Sequence, residues 1–178
     1  MLLRHSLTYA LARGLPGLIN FAAIAVYTRL LAPGEYGEYS LVLAGVALAD
    51  SLLIQWLRLG ILRFLPQSEA APPLLLTVRN AWLAVALLLS LLVISAIMLP
   101  WVQLPPGLLI AGLLLFLAQG WFELNLELIR SSLHPGRYGR LALLRALLSL
   151  SFGALLAWQF QAVGLLSGLA AGTLLAVR

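Results

Sequence analysis

Ionisable side chains inside long apolar runs are the residues of this chain that could do chemistry. Asp50 lies ten residues after Ser40, within the apolar run 39–57, at about 15 Å of helical rise. An ionised carboxylate that deep in a bilayer costs at least about 2.5 kcal/mol, so Asp50 must face protein or water, or carry a proton. Two accounts stay open: a cavity residue for ion coupling or for orienting an arginine, or an inter-helix hydrogen bond that locks packing. Glu123 and Glu127 are four residues apart and share a helix face, with Arg130 three beyond Glu127. Either the glutamates form an interfacial helix end and pair with Arg130 and neighbouring arginines, or Glu123, more than a turn deeper, lines the inner mouth of a polar cavity. Asn20 and Gln119 could line the same cavity, although such amides also simply tie helices together.

Composition fixes the medium in which these residues sit. The chain of 178 residues is 62% hydrophobic and 10% charged, with a mean hydropathy of +1.02, where soluble domains carry about a quarter charged residues. A soluble fold of this size could not hide so much apolar surface, whereas a bilayer removes the need to hide it. The sequence therefore predicts an all-α, polytopic membrane protein. With no cysteine there are no disulfides or thiolate metal sites. The net charge of +5 rests on eleven arginines and no lysine. Guanidinium groups suit phosphate, but an arginine-only set is also what a bias toward Arg, Leu, Ala and Gly codons produces. No basic stripe with interleaved aromatics points to nucleic acid.

Six apolar runs carry the architecture, at 15–31, 39–57, 81–99, 108–128, 141–160 and 163–177. The basic start before the first could be a signal peptide cleaved near Ala23-Ile24-Ala25, but five further runs favour a retained helix. Between the first two runs, Pro33-Gly34 predicts a break, with Arg29, Glu35, Glu38, Tyr36 and Tyr39 at the interface. A loop follows with Arg58, Arg63, Glu69 and Arg79; the uncharged third run is the expected lipid-facing helix, ended by Pro100 and anchored by Trp101. The next loop holds Arg130, His134-Pro135-Gly136, Arg137 and Arg140, and Arg145 interrupts the fifth run early. The sixth run is about fifteen residues, short of the roughly twenty that span comfortably. His5 and His134 are isolated and read as solvated.

Placing both termini in the cytoplasm puts Arg4, Arg13, Arg58, Arg63, Arg79, Arg130, Arg137, Arg140, Arg145 and Arg178 at cytoplasmic ends and only Arg29 outside. The positive-inside rule favours that orientation. Pro33-Gly34-Glu35-Tyr36-Gly37-Glu38 is echoed by Pro135-Gly136-Arg137-Tyr138-Gly139-Arg140 on the opposite side, as a three-plus-three inverted repeat would require, though six residues also match by coincidence. Gly164, Gly168 and Gly172 form a small-residue face on the last helix, which predicts a closely packed partner helix. No phosphate-cradling Gly-x4-Gly-Lys loop and no catalytic or metal-ligand spacing is present, so the expectation is no enzyme, no metal and no cofactor.

The stretch Arg29-Leu30-Leu31-Ala32-Pro33-Gly34-Glu35-Tyr36-Gly37-Glu38-Tyr39-Ser40 resembles the first loop of polysaccharide-biosynthesis flippases, the lipid-linked oligosaccharide (O-antigen) exporters of the multidrug/oligosaccharidyl-lipid/polysaccharide exporter superfamily. Gly60-Ile61-Leu62-Arg63-Phe64 and Val163-Gly164-Leu165-Leu166-Ser167-Gly168 are similar to further stretches of that family. The resemblance implies two six-helix lobes around a central cavity, of which this chain supplies the N-terminal one, truncated or split. It further implies alternating access in the bacterial inner membrane, an ion or potential gradient as driving force, and a sugar–pyrophosphate headgroup in a cationic cavity with its lipid tail left in the bilayer. Arg29, Asp50, Arg58, Glu123 and Arg145 are the candidate substrate- or ion-contacting residues. The partners expected are the bilayer, a second lobe or a second copy, and a lipid-linked saccharide. The competing expectation is a membrane-embedded interaction or assembly subunit that transports nothing and uses the glycine face.

Reporter fusions at Gln103 and Arg137 should report opposite sides of the membrane, periplasmic and cytoplasmic respectively. Both on one side would rule out the six-span arrangement.

Overall fold

The structure, a computed structural model, describes residues 2–65, 71–99, 103–131 and 135–177, with backbone alone for 2–13, 71, 131 and 135. Glu69, Pro100, Trp101, His134 and Arg178 lie outside the described residues, as do the side chains of Arg4, His5 and Arg13.

Prolines sit at the start of four of the helices, whereas Pro16 lies inside the first. The elements are α1 (Leu2–Leu30), α2 (Pro33–Leu53), α3 (Gln55–Phe64), α4 (Ala71–Met98), α5 (Pro106–Ser131) and α6 (Pro135–Val177). The described residues are 95% helical, with no strand among them. Pro33, Pro106 and Pro135 open their helices and Pro72-Pro73 sit in the first turn of α4, where a missing amide donor leaves no hydrogen bond unmade. Several expected loops are therefore helix. The first break shrinks to Leu31-Ala32, and Glu35 to Glu38 belong to the first turns of α2. Arg58 lies in α3, Arg79 in α4, and Arg137 and Arg140 in α6. Both echoed Pro-Gly segments are helix starts. A charge does not end a helix whose backbone hydrogen bonds continue, and an apolar count alone does not register that.

The junction of α2 and α3 illustrates it. Ile54 has φ −112° and ψ −30°, yet its amide donates to the Asp50 carbonyl at 2.9 Å and its carbonyl accepts from the Arg58 amide at 3.2 Å. The two segments run on as one long element with a slight bend.

The expected fifth and sixth spans are joined by a sharper device. Within α6 only Phe160 (φ −126°, ψ 15°) and Gln161 (φ 52°, ψ −133°) leave helical geometry, and there the chain reverses. A Cβ on Gly164, Gly168 or Gly172 would strike the backbone of Leu156, of Phe152 and of Leu148–Ser149 respectively. Each step of four along 162–177 meets a step of about four back along 135–159, so the limbs are antiparallel with backbones in contact. The partner predicted for the glycine face is the preceding limb. Glu35 closes the reversal from α2, its carboxylate accepting the Ala162 amide at 3.3 Å, an N-terminal amide of the second limb that the reversal leaves without a helical partner.

Around this hairpin, α1 packs on α6, α5 on both α6 and α2, and α3 and α4 on α5. The core runs through Ile54, Ile61, Leu108, Leu165 and Leu166. Outside it the surface is apolar: Phe21 and Met98 are 74% exposed and Trp158 80%. Four helical stretches, Pro33–Phe64, Pro72–Met98, Pro106–Arg130 and Gly136–Val177, are long and apolar enough to cross a membrane, and Gly14–Leu30 is a shorter apolar helix. This is a multi-pass helical membrane protein. No residue in the most apolar stretch of α4 is buried, as expected of a helix bathed in lipid.

Gly168→Leu should cut the yield of folded protein in membranes several-fold, because a side chain there must push two backbones apart. Ile94→Leu, on the exposed face of α4, should leave the yield unchanged. Equal yields would remove the hairpin contact from the determinants of the fold.

Candidate functional site

Four charged side chains, Asp50 buried and the other three half-buried between the helices, form one alternating chain. Asp50 of α2 accepts a hydrogen bond from Arg58 Nη2 of α3 at 2.9 Å. Arg58 Nη1 reaches Glu123 Oε2 of α5 at 3.2 Å, and Glu123 Oε1 accepts from Arg145 Nη1 of α6 at 2.6 Å. Glu123 thus holds one guanidinium on each oxygen. Two carboxylates face two arginines, so the set is neutral, as an apolar surrounding requires of ions that it cannot hydrate. Phe122 adds its ring face, 4.7 Å from the Arg145 guanidinium carbon, a favourable distance for a cation over an aromatic.

Helix lengths set its depth. Asp50 and Glu123 each lie seventeen residues into their elements, from Pro33 and Pro106, and Arg145 lies fifteen before Phe160. At 1.5 Å per residue the network sits about 22–25 Å below the end formed by Pro33, Pro106 and the α6 reversal. It therefore lies in the half of the bundle nearer the arginine-rich end.

Glu123 and Arg145 also border a cavity of about 480 Å³ enclosed by α1, α2, α5 and α6. Asn20, Gln119, Ser149 and Thr173 add polar groups to its wall. Ser149 Oγ is buried with no hydrogen-bond partner among the described residues. Toward the Pro33 end, Tyr27 and Tyr39 complete the wall. Their rings meet edge to face at 6.3 Å, Tyr36 stacks behind Tyr39 at 5.7 Å, and the Tyr27 hydroxyl donates to the Ser149 carbonyl at 3.3 Å. One wall of the cavity is ionic and another aromatic.

The candidates read from sequence divide accordingly. Asp50, Arg58, Glu123 and Arg145 come together. Asp50 grips Arg58 across the α2–α3 junction, as both accounts of it allow, but it does not itself border the cavity, and its Oδ1 has no partner among the described residues. Glu123 and Glu127 part ways, Glu127 pairing with Arg130 at 3.6 Å while Glu123 turns inward. Arg29 does not join. It is exposed in the last turn of α1, at the opposite end from the network. Gly164, Gly168 and Gly172 serve the hairpin rather than the cavity. Among the described residues no three His, Asp or Glu side chains gather to hold a metal ion.

Tyr27, Ser149 and Thr173 were not anticipated. A signal existed for two of them: Tyr27 lies seven residues after Asn20 and Ser149 four after Arg145, spacings that share a helix face. Comparison with known protein families, with curated proteins and with solved structures finds no match for this chain.

Glu123→Gln leaves two arginines to one carboxylate and should lower the melting temperature in detergent. Arg145→Gln alone should also destabilise, and the double variant should lose less than the sum of the two, by a coupling of about 1–3 kcal/mol. Additive losses would show that the 2.6 Å pair contributes nothing.

Proposed function

We propose that this chain is the N-terminal six-span lobe of a transporter in the bacterial inner membrane that moves lipid-linked oligosaccharide across the bilayer for polysaccharide or lipopolysaccharide synthesis, with both termini cytoplasmic. The observation that carries the reading is the Asp50–Arg58–Glu123–Arg145 chain, whose Glu123 and Arg145 line a cavity between membrane-spanning helices. Buried ions are costly in a bilayer, and where they border a cavity they mark a path or site for a polar cargo. The resemblance of residues 29–40 to the first loop of polysaccharide flippases supplies the cargo class.

In this reading the two arginines of the network are not free for a pyrophosphate. Glu123 occupies both, so an anionic headgroup entering the cavity competes with it for Arg145, the one of the two that lines the cavity. Displacing Glu123 from Arg145 leaves its carboxylate without that partner beside the added anion, a cost that offsets binding and eases release, as a carrier needs. Asp50 holds Arg58 during the exchange, and the aromatic wall of Tyr27 and Tyr39 suits the face of a sugar ring. A second lobe, or a second copy of this chain, completes the path. The glycine face of 162–177 is already occupied by 135–159, so it is not what recruits that lobe.

The test is complementation in the host strain deleted for this gene. Re-supplied wild-type chain should restore lipid-linked polysaccharide at the cell surface. The double variant Glu123→Gln/Arg145→Gln, which keeps the network neutral, should be present at near-normal levels yet display at least ten-fold less. Normal display in the deletion strain itself, or in the double variant, would favour a membrane-embedded assembly subunit with no transport activity.

A further inference from the structure

A second concavity lies away from the charged network, on the lipid-facing side of the bundle at its arginine-rich end. It is a groove of about 380 Å³ between α3 and α4, walled by Trp56, Gly60 and Phe64 on one side and Leu74 and Val78 on the other. That volume falls in the range of sites for small molecules, about 300–1,000 Å³. Thr77 and Arg63 are its polar residues. The Thr77 hydroxyl is satisfied internally, donating to the Pro73 carbonyl at 2.9 Å. Arg63 is exposed, has no ion pair among the described residues, and lies with its guanidinium carbon 5.6 Å from the Phe64 ring centroid. The groove thus offers apolar walls with one cation at the rim.

We infer that this groove binds an anionic phospholipid, one acyl chain between α3 and α4 and its phosphate on Arg63. Charge and position identify the occupant. Basic groups between membrane helices near the bilayer surface select anionic headgroups, and guanidinium matches phosphate oxygens with two parallel donors. From Arg63 to Trp56 the wall descends seven residues, about 10 Å into the hydrocarbon, which is where a chain attached to that phosphate must go. Gly60 makes the room: a Cβ built on it meets nothing within 4 Å, so glycine is not required there by any protein contact, and its missing side chain leaves the floor of the groove open. This inference does not depend on the transport reading, because neither Gly60 nor Arg63 touches the network or its cavity.

The experiment is native mass spectrometry of the detergent-purified chain titrated with phosphatidylglycerol or with phosphatidylcholine of the same acyl chains. Wild type should retain phosphatidylglycerol about five-fold over phosphatidylcholine, the preference that one surface arginine confers. Arg63→Gln should retain the two lipids equally, keeping the chain contact and losing the headgroup contact. Gly60→Leu, which fills the groove from a position with open space around it, should lower retention of both several-fold without changing the melting temperature. Equal retention of the two lipids by wild type, or phosphatidylglycerol retention unchanged by Arg63→Gln, overturns the inference. So does a dimer of the chain that Gly60→Leu dissociates, which would show that a second copy and not lipid occupies the groove.

Discussion

A single carboxylate on α5 holds two arginines that come from helices on either side of it, and the bundle closes around that arrangement. Glu123 has Arg58 on one oxygen and Arg145 on the other. In water such contacts would be worth little, because solvent competes for every partner. Between apolar helices competition is much reduced, and removing one partner leaves an ion poorly compensated. The packing of α3 and α6 against α5 is therefore tied to charge balance as well as to shape. Asp50 extends the constraint to α2 by holding the far side of Arg58, so all four elements share one electrostatic condition.

Shape supplies the second constraint. Lipid is as apolar as leucine, so helices gain nothing by hiding apolar surface from it, and close backbone approach must do the work instead. The α6 reversal does this with three glycines on one limb lying on the backbone of the other. Its turn uses two residues, with Gln161 at a positive φ that side chains rarely adopt. Glu35, more than a hundred residues earlier, caps the restarted helix. The hairpin is thus locked at its tip by α2 and along its length by its own limbs, while α1 and α5 lie against it.

The residues that mattered were visible in the sequence, but their partners were not. Asp50, Glu123 and Arg145 stand out because each is charged within an apolar run, and the cost of burying charge makes that a signal in any order of neighbours. Arg58 was placed in a loop because the apolar run ends at Leu57, whereas hydrogen bonding carries the helix on to Phe64. Depth is readable from residue counts; the direction a side chain faces depends on the rotation of each helix against its neighbours, and hydropathy does not encode it. Arg29, near the same boundary as Glu35, falls at the opposite end from Arg58 and Arg145 by its position in the chain, and only the resemblance groups it with them. The glycine spacing announced a close contact without naming its partner, since any helix can accept such a face. Tyr27 and Ser149 escaped because one neutral hydroxyl in an apolar run costs too little to attract notice, and only their registration with Asn20 and Arg145 ties them to the cavity wall.

The neutrality of the four-membered chain has an electrical consequence. A charge that crosses the membrane field gains or loses about 2.3 kcal/mol per 100 mV. Two positive and two negative groups that shift together carry no net charge, so a rearrangement that keeps Arg145 on Glu123 and Arg58 on Asp50 is indifferent to voltage. One that slides α6 along α5 and breaks the 2.6 Å contact moves Arg145 along the field without its counter-ion. The same contact that neutralises the interior thus decides how the membrane potential acts on this network: moving its four groups together is silent, while displacing Arg145 along the membrane normal away from Glu123 is not.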